Sequence, residues 1–439
     1  MALFGTSCLF HKQTGIEVLK MNKIYTVAIL GLGARGGKVY GRLMHRSPER
    51  YKITHLCDLN ENVLEAMGAE FDIPAKNRYF SEKDFFLERR ADILVIATPD
   101  NCHTKHALKA MELGYDILCE KPLTDKKEEC EALLETQKKY GNKILVCHVL
   151  RYAASYIKLK EIIDSGVIGK LISMDWIEPV GFWHQAHSYV RGNWRNTDTS
   201  APMIIAKCCH DLDMIQHFAG AKCKSVSSVG GLTFFKSQCA PDGATERCSN
   251  CPHKDICPYS AYRIYVEGWK AKNCPPKYWP YNVLTGEPVT EKKLLSEIET
   301  GPYGRCVFYC DNNVVDHQTV QMLFENDIVA TLQMNAFNLG GGRRISVFGT
   351  YGEAYMTDKE IILNVFGKPT EVIDVTVTGH GLDYAHAGGD ARMIDALYKM
   401  VSGETTLETS LEASIESHLI GVKAEESRLL GGVMLSVHQ

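Results

Sequence analysis

The order of its first segments restricts this chain most. Residues 24–30 form a β-rich apolar run, Gly31-Leu32-Gly33-Ala34-Arg35-Gly36-Gly37 follows at once, and a helical stretch reaches about Met44. A strand, a glycine turn and a helix in immediate succession open a β-α-β unit. The alternation then continues: strands are predicted at 52–57, ending at Asp58, at 92–97, ending at Thr98-Pro99, at 116–119 and at 143–147, with a helix over about 126–140 before the last. Such an order predicts a doubly wound parallel sheet of the Rossmann type over residues 22–150.

Within that unit the pattern Gly31-x-Gly33-x-x-Gly36 gains meaning from its setting. It follows a strand, opens a helix, and is succeeded 22 residues past Gly36 by Asp58 at the end of the second strand. The glycines let a backbone approach a pyrophosphate at the helix N-terminus, and Asp58 accepts hydrogen bonds from ribose hydroxyls while repelling a 2′-phosphate. The expected cofactor is therefore NAD in preference to NADP, with Arg35 placed to reach the pyrophosphate.

Beyond residue 150 the character changes. Strand-like segments recur without intervening helices at 171–178, 224–234, 317–324, 327–337, 343–349, 353–357 and 360–366, with covering helices at 153–164, 203–218 and 389–402. This predicts an α+β domain over 151–439 built on one open-faced antiparallel sheet. Its exposed face is expected to support a homo-oligomer, a dimer or tetramer. A Cys- and Pro-rich insertion, about 239–305, interrupts it; residues 239–290 hold seven of the 15 prolines and are expected to be irregular, without a core of their own.

Composition excludes several classes. The 439 residues carry 49 basic and 53 acidic side chains, with no basic stripe, so nucleic acid is not an expected partner. No apolar run approaches the roughly 18 residues a membrane helix needs. Residues 1–21 read as a disordered extension or misassigned start before Met21, with no secretory pattern, which leaves the reducing cytoplasm as the expected compartment. Seven of the 16 cysteines fall between 239 and 310. Cys239, Cys248, Cys251 and Cys257 have a spacing adequate for a tetrahedral thiolate site, zinc or iron–sulfur, with Cys274 as a rival fourth ligand and free loop thiols as the alternative.

The stretch Thr98-Pro99-Asp100-Asn101-Cys102-His103, then Glu120-Lys121-Pro122-Leu123, and downstream Lys207-Cys208-Cys209-His210-Asp211-Leu212-Asp213, resembles the Gfo/Idh/MocA oxidoreductase family over about residues 22–439. Two further phrases, His148 to Tyr152 and His187 to Arg195, are similar to one large branch of it. The resemblance implies a Rossmann domain followed by an open-faced sheet, with a nicotinamide cofactor used on sugars and cyclitols. It places Thr98, Pro99, Asn101, His103, Glu120, Lys121, His148 and Arg151 beside the cofactor.

The same resemblance makes Lys121 the residue that touches the reacting hydroxyl and His210 the catalytic histidine. Lys121 closes the fourth strand, where open α/β sheets place ligands, and its ammonium suits an oxygen that gains negative charge. Lys207, His210 and Asp213, spaced by three, are expected on one helix face. Relatives in the family carry an aspartate four residues before the histidine, where this chain has Ala206. Lys207 is expected to substitute for it, because two lysines and a histidine around one pocket favour neutral forms.

Candidate substrate contacts are Tyr152, Trp183, His184, His187, Arg191, Trp194, Arg195, Asp213, Asp316, His317, His386 and Asp390. The expected activity is NAD-dependent oxidation of a secondary hydroxyl of a sugar, glycoside or cyclitol, or reduction of the matching ketone. Two other readings stand beside it: an enzyme that retains NAD and cleaves a glycoside through oxidation, elimination and re-reduction, and a non-catalytic NAD-binding sensor.

Overall fold

The computed structural model describes residues 23–379, 381–405 and 409–438. The expected extension over 1–21 lies outside the described residues.

Six strands form the first sheet: β1 (Tyr25–Leu30), β2 (Tyr51–Cys57), β3 (Arg78–Tyr79), β4 (Ile93–Ile96), β5 (Asp116–Cys119) and β6 (Ile144–Val146), in the order β3-β2-β1-β4-β5-β6 and all parallel. The strand alternation feeds two cores at once. Val27 and Ile29 enter one apolar cluster, while Ala28 and Leu30 enter the cluster on the opposite face. Each fully buried side chain of this size contributes about 1.5–3 kcal/mol, which is why the central strands read as continuous apolar runs.

Nine strands form the second sheet: β7 (Leu171–Gly181), β8 (Cys223–Gly231), β9 (His317–Phe324), β10 (Val329–Asn338), β11 (Arg344–Gly349), β12 (Gly352–Met356), β13 (Glu360–Val365), β14 (Glu371–Asp374) and β15 (Leu435–Ser436). Their order is β14-β13-β12-β11-β7-β10-β9-β8-β15. The sheet is mixed and not wholly antiparallel as expected, because β10 runs parallel to β7. The chain leaves β7 for helices, β8 and the insertion, and returns through β9, so β10 enters beside β7 in the same sense. Along β9 and β10 every second residue is buried, which packs one face on helices and leaves the other open.

The helix expected over 203–218 is broken. It runs over Met203–Ala206 and restarts as Cys209–Ala219, with Lys207 at the break. The helix expected over 389–402 is Gly389–Ser402, and it docks on the first domain, where Tyr51 donates to Ile394 O and Lys143 Nζ to the Met400 and Val401 carbonyls. A helix absent from the sequence reading, Leu411–Leu429, lies between the two sheets. Its buried face includes Ser414, Glu416, Ser417, His418 and Ser427, so apolar periodicity does not announce it. Three of those polar groups bind main chain: Glu416 accepts from Cys223 N–H, Ser427 Oγ from Ser228 N–H, and His418 Nε2 from Leu123 N–H.

The insertion departs from expectation by having a core. Phe235, Ala261, Ile264, Tyr265, Trp269, Tyr281, Leu294, Ile298 and Phe308 are buried together against Ala186 and Val190. No helix among the described residues is long and apolar enough to cross a membrane.

Candidate active site

The glycine turn closes against β4. Gly31 has φ of +89°, and a Cβ there would lie 2.4 Å from Ala97 O; at Gly36 it would lie 1.9 Å from Gly31 O. These two glycines are therefore demanded by the fold itself. Gly33 differs, since a Cβ built on it meets nothing within 4 Å, leaving bare backbone at an open cradle. Asp58 sits at this turn, its carboxylate accepting from Leu32 N–H at 2.7 Å and Asn60 N–H at 2.8 Å. A bare loop, a following helix and an adjacent carboxylate fit a dinucleotide. Gly31, Gly33, Gly36 and Asp58 would hold it, with Thr98 and Pro99 at the end of β4.

Arg35 does not simply face this cradle. Its guanidinium donates to Glu120 Oε1 at 2.8 Å and to Asp390 Oδ1 at 2.6 Å, and it also meets Tyr40, which donates to Glu120. Burial alone would raise the Glu120 carboxyl, but Arg35 and Lys121 beside it hold it below the ordinary range. Asp390 in turn is bonded to His386 Nδ1 at 2.8 Å; burial opposes its charge, yet His386 and Arg35 hold it at about 2. His386 and Asp390 thus tie the start of the Gly389–Ser402 helix to the glycine turn.

Lys121, just past the end of β5, donates from Nζ to Ala206 O at 3.0 Å. Burial works against its charge, but Cys209, Glu120 and Asp100 nearby outweigh it, so its pKa lies above the usual lysine value. His210 stands one turn beyond Ala206. Burial first, then Lys121 and Arg343, push its pKa well below 6.5, and its Nδ1 has no partner among the described residues. A charged lysine and a neutral histidine therefore meet at the junction of the two domains.

His148 lies behind them, its ring 6.3 Å from that of His210 and 5.9 Å from that of His418. Both of its nitrogens are buried without a hydrogen bond among the described residues, and burial pushes it down to about 3. Arg151 forks onto Asp213 with two 2.8 Å bonds, so neither presents a free charge to a ligand. His103 has its two ring nitrogens on Pro122 O and Thr98 O, at 2.6 and 2.7 Å, and fixes the loops after β4 and β5. Asn101 is exposed on the short helical turn that follows Pro99.

The helix break changes what Lys207 can do. Its Nζ lies 3.0 Å from Glu178 Oε1; Glu178 also pairs with Arg343 at 2.9 Å, and Arg343 with Asp211 at 2.5 Å. Burial would raise Glu178, but Arg343 and Lys207 bring it to about 2. The expected repulsion among two lysines and a histidine is thus answered by a carboxylate, and Lys207, His210 and Asp213 do not share one face pointing into one volume. Sequence reasoning missed Glu178, although a signal existed: in β7 it occupies the same inward alternation as Met174 and Trp176. Arg343 has no such signal, because only the pairing of β11 with β7 brings it there.

The remaining candidates divide. Trp183 and His184 follow β7 directly and stack on each other at 5.6 Å. His184 is held at about 3 by burial, then by Lys207, with His187, Glu178 and Lys121 also acting on it, which places it at the edge of the site. His187 is buried, stacked on Tyr303 at 4.8 Å, and held at about 3 by burial. Tyr152 shares a hydrogen bond with Thr409 Oγ1, and Trp194 donates to Asp100 at 2.9 Å. Arg195 forks onto Asp311, whereas Arg191 is fully buried against Arg305 O and Tyr259 O, framing the insertion and not a ligand. Asp316 accepts from the Thr233 and Phe234 N–H groups and pairs with the exposed His317, so it secures a turn.

The thiolate site is not assembled. Among the described residues no group of three or more His, Cys, Asp or Glu side chains is arranged to hold a metal ion, and the described cysteines are free thiols. Cys239 Sγ donates to Thr233 O, and Cys248 Sγ accepts from Ala261 N–H inside the apolar cluster, with Cys251 and Cys257 partly exposed nearby. The reason is the insertion's own core: a segment that buries this many aromatic rings is ordered without a metal staple, and Cys248 serves as one of its small hydrophobes.

Comparison with known proteins agrees with this geometry. Residues 25–148 match the NAD-binding Rossmann domain of the Gfo/Idh/MocA oxidoreductase family, and residues 160–431 match its C-terminal α/β domain. The chain is 26% identical over 241 residues to the oxidoreductase YteT of Bacillus subtilis, which covers 53% of this chain and 56% of that protein. It is 27% identical over 213 residues to inositol 2-dehydrogenase of Corynebacterium glutamicum, covering 47% and 57%. The chain thus spans about half the length of the curated relatives it matches. In structure it is similar to the aldose-aldose oxidoreductase of Caulobacter crescentus, with a TM-score of 0.65 at 15% identity over 94% of this chain and 100% of that one, a likeness of fold.

Proposed function

The chain belongs to the Gfo/Idh/MocA oxidoreductase family, and from that premise we propose that it oxidises a secondary hydroxyl of a sugar, glycoside or cyclitol with NAD, or reduces the matching ketone. One observation carries this reading: Lys121 from the cofactor-binding domain donates to Ala206 O, one turn before His210, so a cationic donor and a neutral base are brought together where β5 ends. When bound, NAD supplies the hydride acceptor.

The chain's own residues do the rest. Lys121 has three N–H donors, of which Ala206 O takes one, leaving the others for the reacting oxygen. Its charge stabilises that oxygen as negative charge grows on it. His210, neutral at physiological pH, accepts the hydroxyl proton in oxidation and returns it in reduction. Lys207, held by Glu178, is a substrate-holding cation in this reading and not the base. Asp58 disfavours a 2′-phosphate and so favours NAD over NADP. The open face of the second sheet, where Val229 and Val329 stand exposed, is the surface proposed for homo-oligomerisation, which light scattering of the purified protein tests.

The experiment is to purify the protein without added cofactor, measure the nucleotide released on denaturation, and scan sugars, cyclitols and glycosides for NADH formation. NADH accumulating with free NAD supports a dehydrogenase. NAD retained at one per chain, with aglycone released and no net NADH, replaces it with the redox-cycling glycoside-cleaving reading.

A further inference from the structure

The insertion brings an aromatic ring to the edge of the site. Trp279 lies 5.0 Å from His184, edge to face, 5.4 Å from Trp183 and 5.5 Å from His187. Trp183 and His184 lie just past the end of β7, the strand that carries Glu178, and both Lys207 and the Glu178 carboxylate that holds it act on the His184 imidazole. One imidazole therefore separates Trp279 from the charged groups of the reaction site.

The segment that carries Trp279 is anchored at its far end. Glu287 accepts from Lys38 Nζ at 3.1 Å, and Lys38 stands two residues beyond Gly36 on the helix of the glycine turn. Asn282 donates to the same carboxylate at 3.0 Å. Residues 279–287 thus run from His184 to the helix of the glycine turn in the first domain. Trp279 is nonetheless 38% exposed and its neighbour Tyr278 46% exposed. A large indole held on a tethered segment, with part of its surface left in water beside a polar site, is the arrangement that binds a ring with one apolar and one hydroxylated side.

We propose that Trp279, with Trp183, is a stacking platform for a second ring of the substrate, so that this chain takes a glycoside or oligosaccharide in preference to a free monosaccharide or cyclitol. The proposal rests on the carbohydrate oxidoreductase reading above. The first ring sits over Lys121 and Lys207 with its hydroxyls, and the ring attached to it extends past His184 onto the indole. Trp279 specifies the substrate in this scheme and takes no part in the chemistry.

The test titrates the full chain, loaded with NAD, with glucose, galactose, mannose and myo-inositol and with the p-nitrophenyl α- and β-glycosides of the three sugars, by calorimetry. In wild type at least one glycoside binds about three- to tenfold more tightly than its parent sugar. Trp279→Ala removes that preference without weakening the parent sugar, and Trp279→Phe keeps most of it. The proposal is overturned if wild type shows no preference for any glycoside, if the preference survives in Trp279→Ala, or if that variant weakens sugar and glycoside alike while Trp279→Phe does the same. NADH and p-nitrophenolate are read in the same samples. Binding without either product overturns the oxidoreductase reading, and the platform is then judged on the titrations alone.

Discussion

Lowering the pH from 7.5 to 5.5 should destabilise this protein through histidines buried as neutral rings. His148 and His187 are 0% and 2% exposed, and burial brings both to about 3. In the unfolded chain each titrates near 6.5. The folded state therefore refuses a proton that the unfolded state takes, and the stability these rings contribute is complete above 6.5 and declines as pH falls toward 3. Integrating between pH 7.5 and 5.5 gives a loss of about 1.4 kcal/mol per histidine, and a folded value one unit higher changes this by less than about 0.1 kcal/mol. His184 adds in the same direction. A two-domain chain need not unfold in one step, so the assay is proton uptake on full unfolding in urea at pH 5.5, measured by pH-stat. Each of the two histidines should contribute about 0.9 proton. His148→Gln and His187→Gln should each lower the total by that amount. A difference below about 0.3 proton for both variants would refute the claim that burial keeps these rings neutral.

Gly36→Ala should abolish NAD binding, measured by fluorescence titration, because its Cβ would stand 1.9 Å from Gly31 O and push the turn off β4. Lys121→Ala should lower kcat by about 100- to 10,000-fold while NAD still binds; loss of NAD binding in parallel would assign the lysine to cofactor retention. For His210, whose pKa lies well below 6.5, kcat/KM for oxidation should stay flat through neutrality and fall only in more acidic buffer, and His210→Asn should remove that limb along with most of the rate. Glu178→Gln should destabilise the chain by about 3–5 kcal/mol by urea denaturation, since Lys207 and Arg343 lose a buried counter-charge.

The first sheet was legible because its central strands are buried on both faces and write continuous apolar runs between helices. In the second domain the strands announced themselves by alternation; 317–324 and the helix at 389–402 are found with those bounds. The 411–429 helix was hidden because serines, a glutamate and a histidine occupy its buried face. The site was harder to read. Spacing by three implies a shared face only along an unbroken helix, and the break at Lys207 sends its ammonium to Glu178 while Asp213 turns to Arg151. Partners such as Arg343 and His418 arrive from strands and helices more than 100 residues away, a distance over which local pattern says nothing. The cysteine spacing misled for a related reason, since it describes the chain locally and the aromatic core that orders the segment is assembled from residues 235 to 308.

The break at Lys207 also decides what positions Lys121. In a continuous helix the Ala206 carbonyl would accept the His210 N–H; with the helix interrupted, it is free to accept the lysine's ammonium instead. The lysine is thus gripped by main chain, and no side-chain replacement at 206 can release it directly. A substitution that let the two helical pieces fuse would turn that carbonyl toward the His210 N–H without touching the side chain of Lys121 or His210. Because the grip spans the two domains, any hinge that draws them apart must break the bond from Lys121 to Ala206 O and part the ammonium from the imidazole, so the pair stands assembled only while the domains are closed on each other.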